Sequence, residues 1–183
     1  MKFKPSFLFA LFLASVGLVS CIDKEETDEV LLVRDKEAIA DYLAKNTLVS
    51  VKQFEDPISG IKIIWQEISK SGIKVQDGDT LKVDYTGKLL TNKIFDTSIE
   101  SIARTAGIFT NGRSYVPLKF PLGRGLLIPG FEYGVSQMEK GDKATVFVPS
   151  IFGYGNNSSG EIPPNSPLIF ELNLVDVKDG PQK

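Results

Sequence analysis

An α+β fold is what this sequence predicts, on three observations. Runs such as Leu81, Val83 and Tyr85 against Lys82 and Asp84 alternate apolar and polar residues with the period of two of a half-buried strand. One short run, opened by Pro129 and carrying Phe131, Val135 and Met138 on one face, has helical spacing instead. The composition, 42% apolar, 10% aromatic and 24% charged, suits one globular domain with something appended.

The appended part comes first. Lys2 and Lys4 precede an apolar run over residues 7–19, too short for a permanent span and flanked like a signal peptide. The run ends Leu18-Val19-Ser20-Cys21, which resembles a bacterial lipobox. Residues 1–20 are therefore expected to be removed, leaving Cys21 as a lipidated N-terminus. Acyl chains contribute about 0.8 kcal/mol per buried methylene, so such a chain is anchored to a membrane surface rather than spanning it. Asp23, Glu25, Glu26, Asp28 and Glu29 then make residues 21–33 read as an acidic tether.

From Asp35, as N-cap, an amphipathic helix is expected through Ile39, Tyr42 and Leu43, ending near Asn46. Residues 48–54 and 61–68 are β-prone runs separated by Glu55-Asp56-Pro57-Ile58-Ser59-Gly60, a hairpin-like interval. Residues 34–60 thus form an accessory N-terminal helix and strand, with Trp65 packing at its hairpin. A turn at Gln76-Asp77-Gly78-Asp79 leads into the strand of Leu81, Val83 and Tyr85, and a second strand passes through Leu89-Leu90. Residues 97–116 hold Ser, Thr, Gly and Asn without a sustained period and read as an inserted loop. After the helix at Pro129, closed by Lys140-Gly141-Asp142, residues 143–148 and 168–177 read as strands; Leu168, Phe170, Leu172 and Leu174 share one face. Residues 153–164, rich in Gly, Asn, Ser and Pro, read as a long loop with little local order, and residues 179–183 as a tail.

The chemistry is narrowed by what is missing. With no histidine and one cysteine, Ser-His-Asp triads, Cys-His dyads, internal disulfides and the usual His/Cys zinc sites are excluded, and no cofactor is implied. A net charge of −2 leaves no polycationic face for nucleic acid.

Several motifs occur in a fixed order: Val83-Asp84-Tyr85-Thr86-Gly87, Phe95-Asp96, Phe120-Pro121-Leu122-Gly123, Ile128-Pro129-Gly130-Phe131, Met138-Glu139-Lys140-Gly141-Asp142, Phe152-Gly153-Tyr154-Gly155, Ile162-Pro163-Pro164 and Leu168-Ile169-Phe170-Glu171-Leu172. In this order they resemble the FK506-binding-protein (FKBP) family of peptidyl-prolyl cis-trans isomerases, over residues 61–178. The resemblance implies a strongly bent antiparallel sheet wrapped around a short helix, with an aromatic pocket between them. It implies that Asp96, Tyr154, Ile128 and Phe95 are catalytic, and that Tyr85, Phe120, Leu127, Phe131, Ile162 and Phe170 bind substrate. The Ile128 N–H and the Tyr154 hydroxyl would hold substrate carbonyls; Asp96 either polarises the amide or organises neighbouring hydroxyls. Proline-containing polypeptides are the implied partners and macrolides a second ligand class, although Phe131 stands where the best-known members carry tryptophan and lacks the indole donor.

A lipobox joined to such a domain also resembles gliding-motility-associated isomerase lipoproteins of Bacteroidetes, which places the expected site of action in the bacterial cell envelope, at the outer membrane on its periplasmic side or at the cell surface. Two functions stay open. One is a prolyl isomerase for exported proteins; the other is a chaperone or binding module on the same fold with weak or no isomerase activity.

Overall fold

The computed structural model describes residues 27–180; the expected signal segment, the expected lipidation site at Cys21, the first part of the expected tether and the last three residues of the expected tail lie outside the described residues. In chain order the elements are α1 (Asp28–Lys45), β1 (Lys52–Glu55), β2 (Lys62–Glu67), β3 (Thr80–Leu89), β4 (Ile94–Thr97), α2 (Glu100–Thr105), β5 (Leu118–Pro121), α3 (Pro129–Ser136), β6 (Lys143–Val148), a 3₁₀ turn (Ser150–Phe152) and β7 (Leu168–Lys178). The strands form one antiparallel sheet in the order β1-β2-β6-β7-β3-β4, with β5 also paired to β3. This is the α+β architecture expected, a curved sheet over a short helix.

The far edge of the sheet forks. The first half of β3, Thr80 to Val83, pairs with β5, whereas Thr86 to Lys88 pair with β4. Register shifts at Lys82/Val83 against β7 and at Gly87/Lys88 against β4 bend the strand on either side of Tyr85. A cleft opens at the fork, with Tyr85 at its apex.

Period-two alternation decides what the sheet buries. Leu81 and Val83, Val146 and Val148, and Leu168, Phe170, Leu172 and Leu174 form the concave core with Phe131 and Val135 of α3. The helix lies close on β6 because its contact positions are glycines. A Cβ on Gly130 would stand 2.1 Å from Val148 Cγ1, and one on Gly134 2.8 Å from Val146 Cγ2. On the opposite face Ile64, Phe147 and Ile169 are covered by Ile39, Tyr42 and Leu43 of α1. The sheet is thus clad on both faces, and the N-terminal helix belongs to the packed body.

Several elements differ from the sequence expectation. Helix α1 begins at Asp28, capped by the Thr27 side chain accepting from the Val30 N–H at 3.4 Å, so residues 28–33 are helical and not tether. Asp35 is an interior residue and not the N-cap; with Leu31 and Ile39 it forms the buried stripe of the helix. A carboxylate inside an apolar stripe breaks the pattern, so local sequence places the helix start too late. Trp65 sits on the β1–β2 hairpin as expected, with Lys52 Nζ 4.2 Å from its ring centroid, and at 2% exposure it also packs into the main core, because β2 is an interior strand paired with both β1 and β6. The inserted segment contains α2, whose Ala103 is fully buried, and a stacked Phe109–Tyr115 pair with ring centroids 5.5 Å apart. The loop before β7 is ordered by the 3₁₀ turn and by a bridge between Ser159 and Ile162.

Candidate active site

The cleft at the fork is a cavity of about 280 Å³. Tyr85 reaches it from β3, Phe95 and Asp96 from β4, Leu127 and Ile128 from the approach to α3, Phe131 from α3, Tyr154 from the loop after β6 and Phe170 from β7. Residues separated by up to 85 positions meet there because β3 and β7 are neighbours and α3 crosses their concave face. The walls interlock edge to face. Phe131 and Phe170 centroids are 5.2 Å apart at 86°, Phe95 and Phe170 5.9 Å at 85°, and Tyr85 and Phe131 6.0 Å at 88°. Such T-shaped pairs add about 0.5–1.5 kcal/mol each beyond area burial and fix ring orientation.

Two expected pocket residues do not line the cavity. Phe120 is 3% exposed and sits beneath the floor, its ring 6.0 Å from that of Phe131. Ile162 is also 3% exposed; its N–H and C=O are both paired with Ser159, so it anchors its loop. Leu118 and Leu126 line the cavity instead. Leu118 was legible as the residue two before Phe120 on an alternating strand, and Leu126 as the head of the Leu126-Leu127-Ile128 run.

The polar side of the cleft centres on Asp96. The Tyr85 hydroxyl donates to Oδ2 at 2.5 Å; Oδ1 accepts the Thr97 N–H at 2.9 Å and pairs with Arg113 Nη1 at 2.6 Å. Arg113 also donates to the Thr97 carbonyl at 3.1 Å and reaches the Tyr85 hydroxyl at 3.4 Å. Burial, and next the bond to Asp96, push the Tyr85 phenol far above its ordinary range, so it stays protonated at neutral pH. The bond to Asp96 likewise holds the Arg113 guanidinium above its ordinary value. No sequence pattern marked Arg113, which comes from the aperiodic insertion. That insertion thus packs beside the cleft and supplies the counter-charge for Asp96.

Among the described residues, neither the Ile128 N–H nor the Tyr154 hydroxyl bonds to another protein group, and both belong to residues on the cavity wall. Glu132, in the first turn of α3, fixes the adjoining segment by accepting the N–H groups of Gly123 at 3.2 Å and Leu127 at 3.3 Å. A larger groove of about 680 Å³ lies between α2 and the β3–β4 turn, bordered by Glu161, which pairs with Lys93 at 3.2 Å. It has no aromatic wall.

A ring-walled cleft without histidine or cysteine, on a bent antiparallel sheet, defines a class, and comparison with known proteins agrees. Residues 71–175 match the family described as FKBP-type peptidyl-prolyl cis-trans isomerase, and the chain belongs to that family. It is 39% identical over 105 residues to FK506-binding protein 2 of Yarrowia lipolytica, covering 57% of this chain and 64% of that one. With FK506-binding protein 2 of Candida glabrata it shares 38% over 112 residues, 60% of this chain and 73% of that one. With FkpA of Escherichia coli, an FKBP-type isomerase, it shares 34% over 125 residues, 68% of this chain and 41% of that one. The crystal structure of FkpA superposes with a TM-score of 0.61 at 29% identity, covering 82% of this chain and 61% of FkpA. The chain therefore carries an FKBP-type isomerase domain, and its matches span between two fifths and three quarters of these three relatives.

Proposed function

We propose that this chain catalyses X-Pro rotation in exported or envelope polypeptides by desolvation and positioning in the aromatic cleft, while lipid on Cys21 anchors it to a membrane of the bacterial cell envelope. The ring-walled cavity carries the catalytic part of this reading. Rotation about a peptide bond faces a barrier of about 18–20 kcal/mol because amide resonance must be broken. The twisted transition state has less charge separation than the planar amide, so moving the prolyl amide from water to an apolar wall raises the planar form relative to it. Phe95, Phe131 and Phe170 hold the pyrrolidine while the acyl side turns. The Ile128 N–H and Tyr154 hydroxyl are the donors for substrate carbonyls, fixing orientation.

Asp96 organises rather than attacks. Both of its oxygens are engaged, Oδ2 by Tyr85 and Oδ1 by Thr97 and Arg113, which favours the organising role over direct polarisation of the amide. Phe131 offers a ring without an indole donor at the floor, so macrolide ligands of the kind named for the FK506-binding relatives would rest on apolar contact there. The envelope context is supported by the charged start, apolar run and Ser20-Cys21 boundary of the sequence.

A protease-coupled assay with several X-Pro peptides tests the catalytic reading. The wild type should exceed the uncatalysed rate, with Asp96→Val and Tyr154→Phe each slower; equal background rates for all three would support the binding-module alternative. Globomycin-sensitive labelling with a fatty acid tests the anchor, and absence of label with Cys21 intact would contradict it.

A further inference from the structure

We infer that Arg34 and Asp35, on the N-terminal helix and outside the residues that match the family, are positioning residues for the loop that carries Tyr154. The inference rests on the isomerase reading for its catalytic consequence and on a closed circuit of hydrogen bonds for its structure. Asp35 is fully buried, and its Oδ2 accepts the Ser150 N–H at 2.7 Å. The Ser150 carbonyl accepts the Gly155 N–H at 2.9 Å, and the Gly155 carbonyl accepts the Asn165 N–H at 2.6 Å. The Asn165 carbonyl accepts Arg34 Nη2 at 2.9 Å, and Arg34 closes the ring by donating Nε and Nη2 to Asp35 Oδ1 at 3.3 and 3.1 Å. The circuit grips the loop at both ends and at Gly155, the residue after Tyr154.

The composition of this contact argues against docking as its sole purpose. Asp35 lies between Leu31 and Ile39 on the buried face of α1, and an apolar residue there would bury the helix without removing a carboxylate from water. Replacing buried ion pairs with apolar groups is often neutral or stabilising. What an apolar residue cannot do is hold the Ser150 N–H and, through Arg34, the Asn165 carbonyl. The loop needs such restraint: Gly155 and Asn165 both occupy left-handed backbone, at φ 58° and 53°. Asn is among the few residues that tolerate that region. With both ends fixed, Tyr154 meets the substrate in a preset position, and a shift of about 1 Å in such a group changes rates by up to about a hundredfold.

The test uses the full chain with Arg34→Gln, Asp35→Asn, Tyr154→Phe and the combinations of the first two with the third. Each latch variant should lower kcat/KM by about tenfold while melting stays cooperative, and should cause little further loss in the Tyr154→Phe background, because both act through that side chain. Arg34→Lys, which keeps the charge but offers its donors from a single nitrogen, should recover part of the activity. Amide hydrogen exchange should accelerate over residues 150–165 while β6 and β7 stay protected. Ile64→Val, a stability control on the opposite sheet face, should leave kcat/KM unchanged. Folded latch variants with wild-type kcat/KM, or with their full loss retained in the Tyr154→Phe background, overturn the inference. Should Asp35→Asn fail to fold, Arg34→Gln decides alone. Should the wild type lack isomerase activity, the isomerase reading fails separately, and the exchange pattern of Arg34→Gln still decides whether the loop is latched.

Discussion

Adding one methyl group at Gly87 isolates geometry from chemistry. The Cβ of Gly87→Ala would stand 2.5 Å from both Cε2 and Cζ of Phe95, and 3.2 Å from Cε1 of Phe170. Carbon atoms pack at about 3.5–4.0 Å, so the Phe95 ring must retreat by about 1 Å. Phe95 forms part of the wall of a cavity of about 280 Å³, and that cavity is the open space beside it. Overpacking of this kind costs about 1–3 kcal/mol, and replacing a strand glycine with alanine returns about 0.5–1 kcal/mol. The net change in stability is therefore modest, about 2 kcal/mol or less. Activity should suffer more, because a misplacement of about 1 Å at a reacting site costs up to about a hundredfold. The check is kcat/KM in a protease-coupled assay on X-Pro peptides beside a thermal melt. A variant that melts within a few degrees of wild type and keeps full kcat/KM would refute the claim that ring placement sets the rate.

Three further outcomes are expected. Arg113→Ala removes the counter-charge of Asp96, but both side chains are more than a third exposed, at 37% and 35%, so solvent screening holds the stability loss to at most about 1 kcal/mol; activity should fall severalfold, less so at high salt, as parallel melts and assays at two ionic strengths would show. Tyr85 has a phenol pushed upward by burial and by Asp96, so the stability it contributes is complete below the unfolded value near pH 10 and is lost as pH rises through the higher folded value. With no histidine in the chain, kcat/KM should be flat from about pH 6 to 9, and an alkaline melt series should show a loss above about pH 10 that Tyr85→Phe reduces, the remainder coming from Tyr42 and Tyr133, whose phenols burial also pushes upward. Gly130→Ala should lower the melting temperature strongly, because its Cβ would fall 2.1 Å from Val148 Cγ1 and push α3 off β6; overpacking by about 3 kcal/mol is the scale, and calorimetry is the check.

What the sequence revealed and what it concealed divide along physical lines. Leu81, Val83 and Tyr85 obey strand alternation and Pro129 opens a helix, so the sheet and α3 were readable from local pattern. The ring wall is legible only through motif order, since a single Phe on a strand is more often core than site, and Phe120 lies in the core. Arg113 and Asp35 escaped because each takes its meaning from a partner brought near only by folding. Arg113 sits 17 positions from Asp96 on an aperiodic segment, and Asp35 lies 115 positions from Ser150. A buried acid in a helix stripe has the same local appearance as a cap, and only the loop opposite it tells the two apart. The depth at which Trp65 packs has a related cause: the pairing of β2 with β6 is invisible until both strands are placed.

The solvent deuterium isotope effect on kcat/KM for an X-Pro peptide tests the central claim most directly. Rotation driven by desolvation and positioning transfers no proton in its transition state, so the ratio in light and heavy water should be about 1, the same for wild type and Tyr85→Phe. A normal effect of about 2 or more would mean that a proton moves in the rate-limiting step, and would contradict the account.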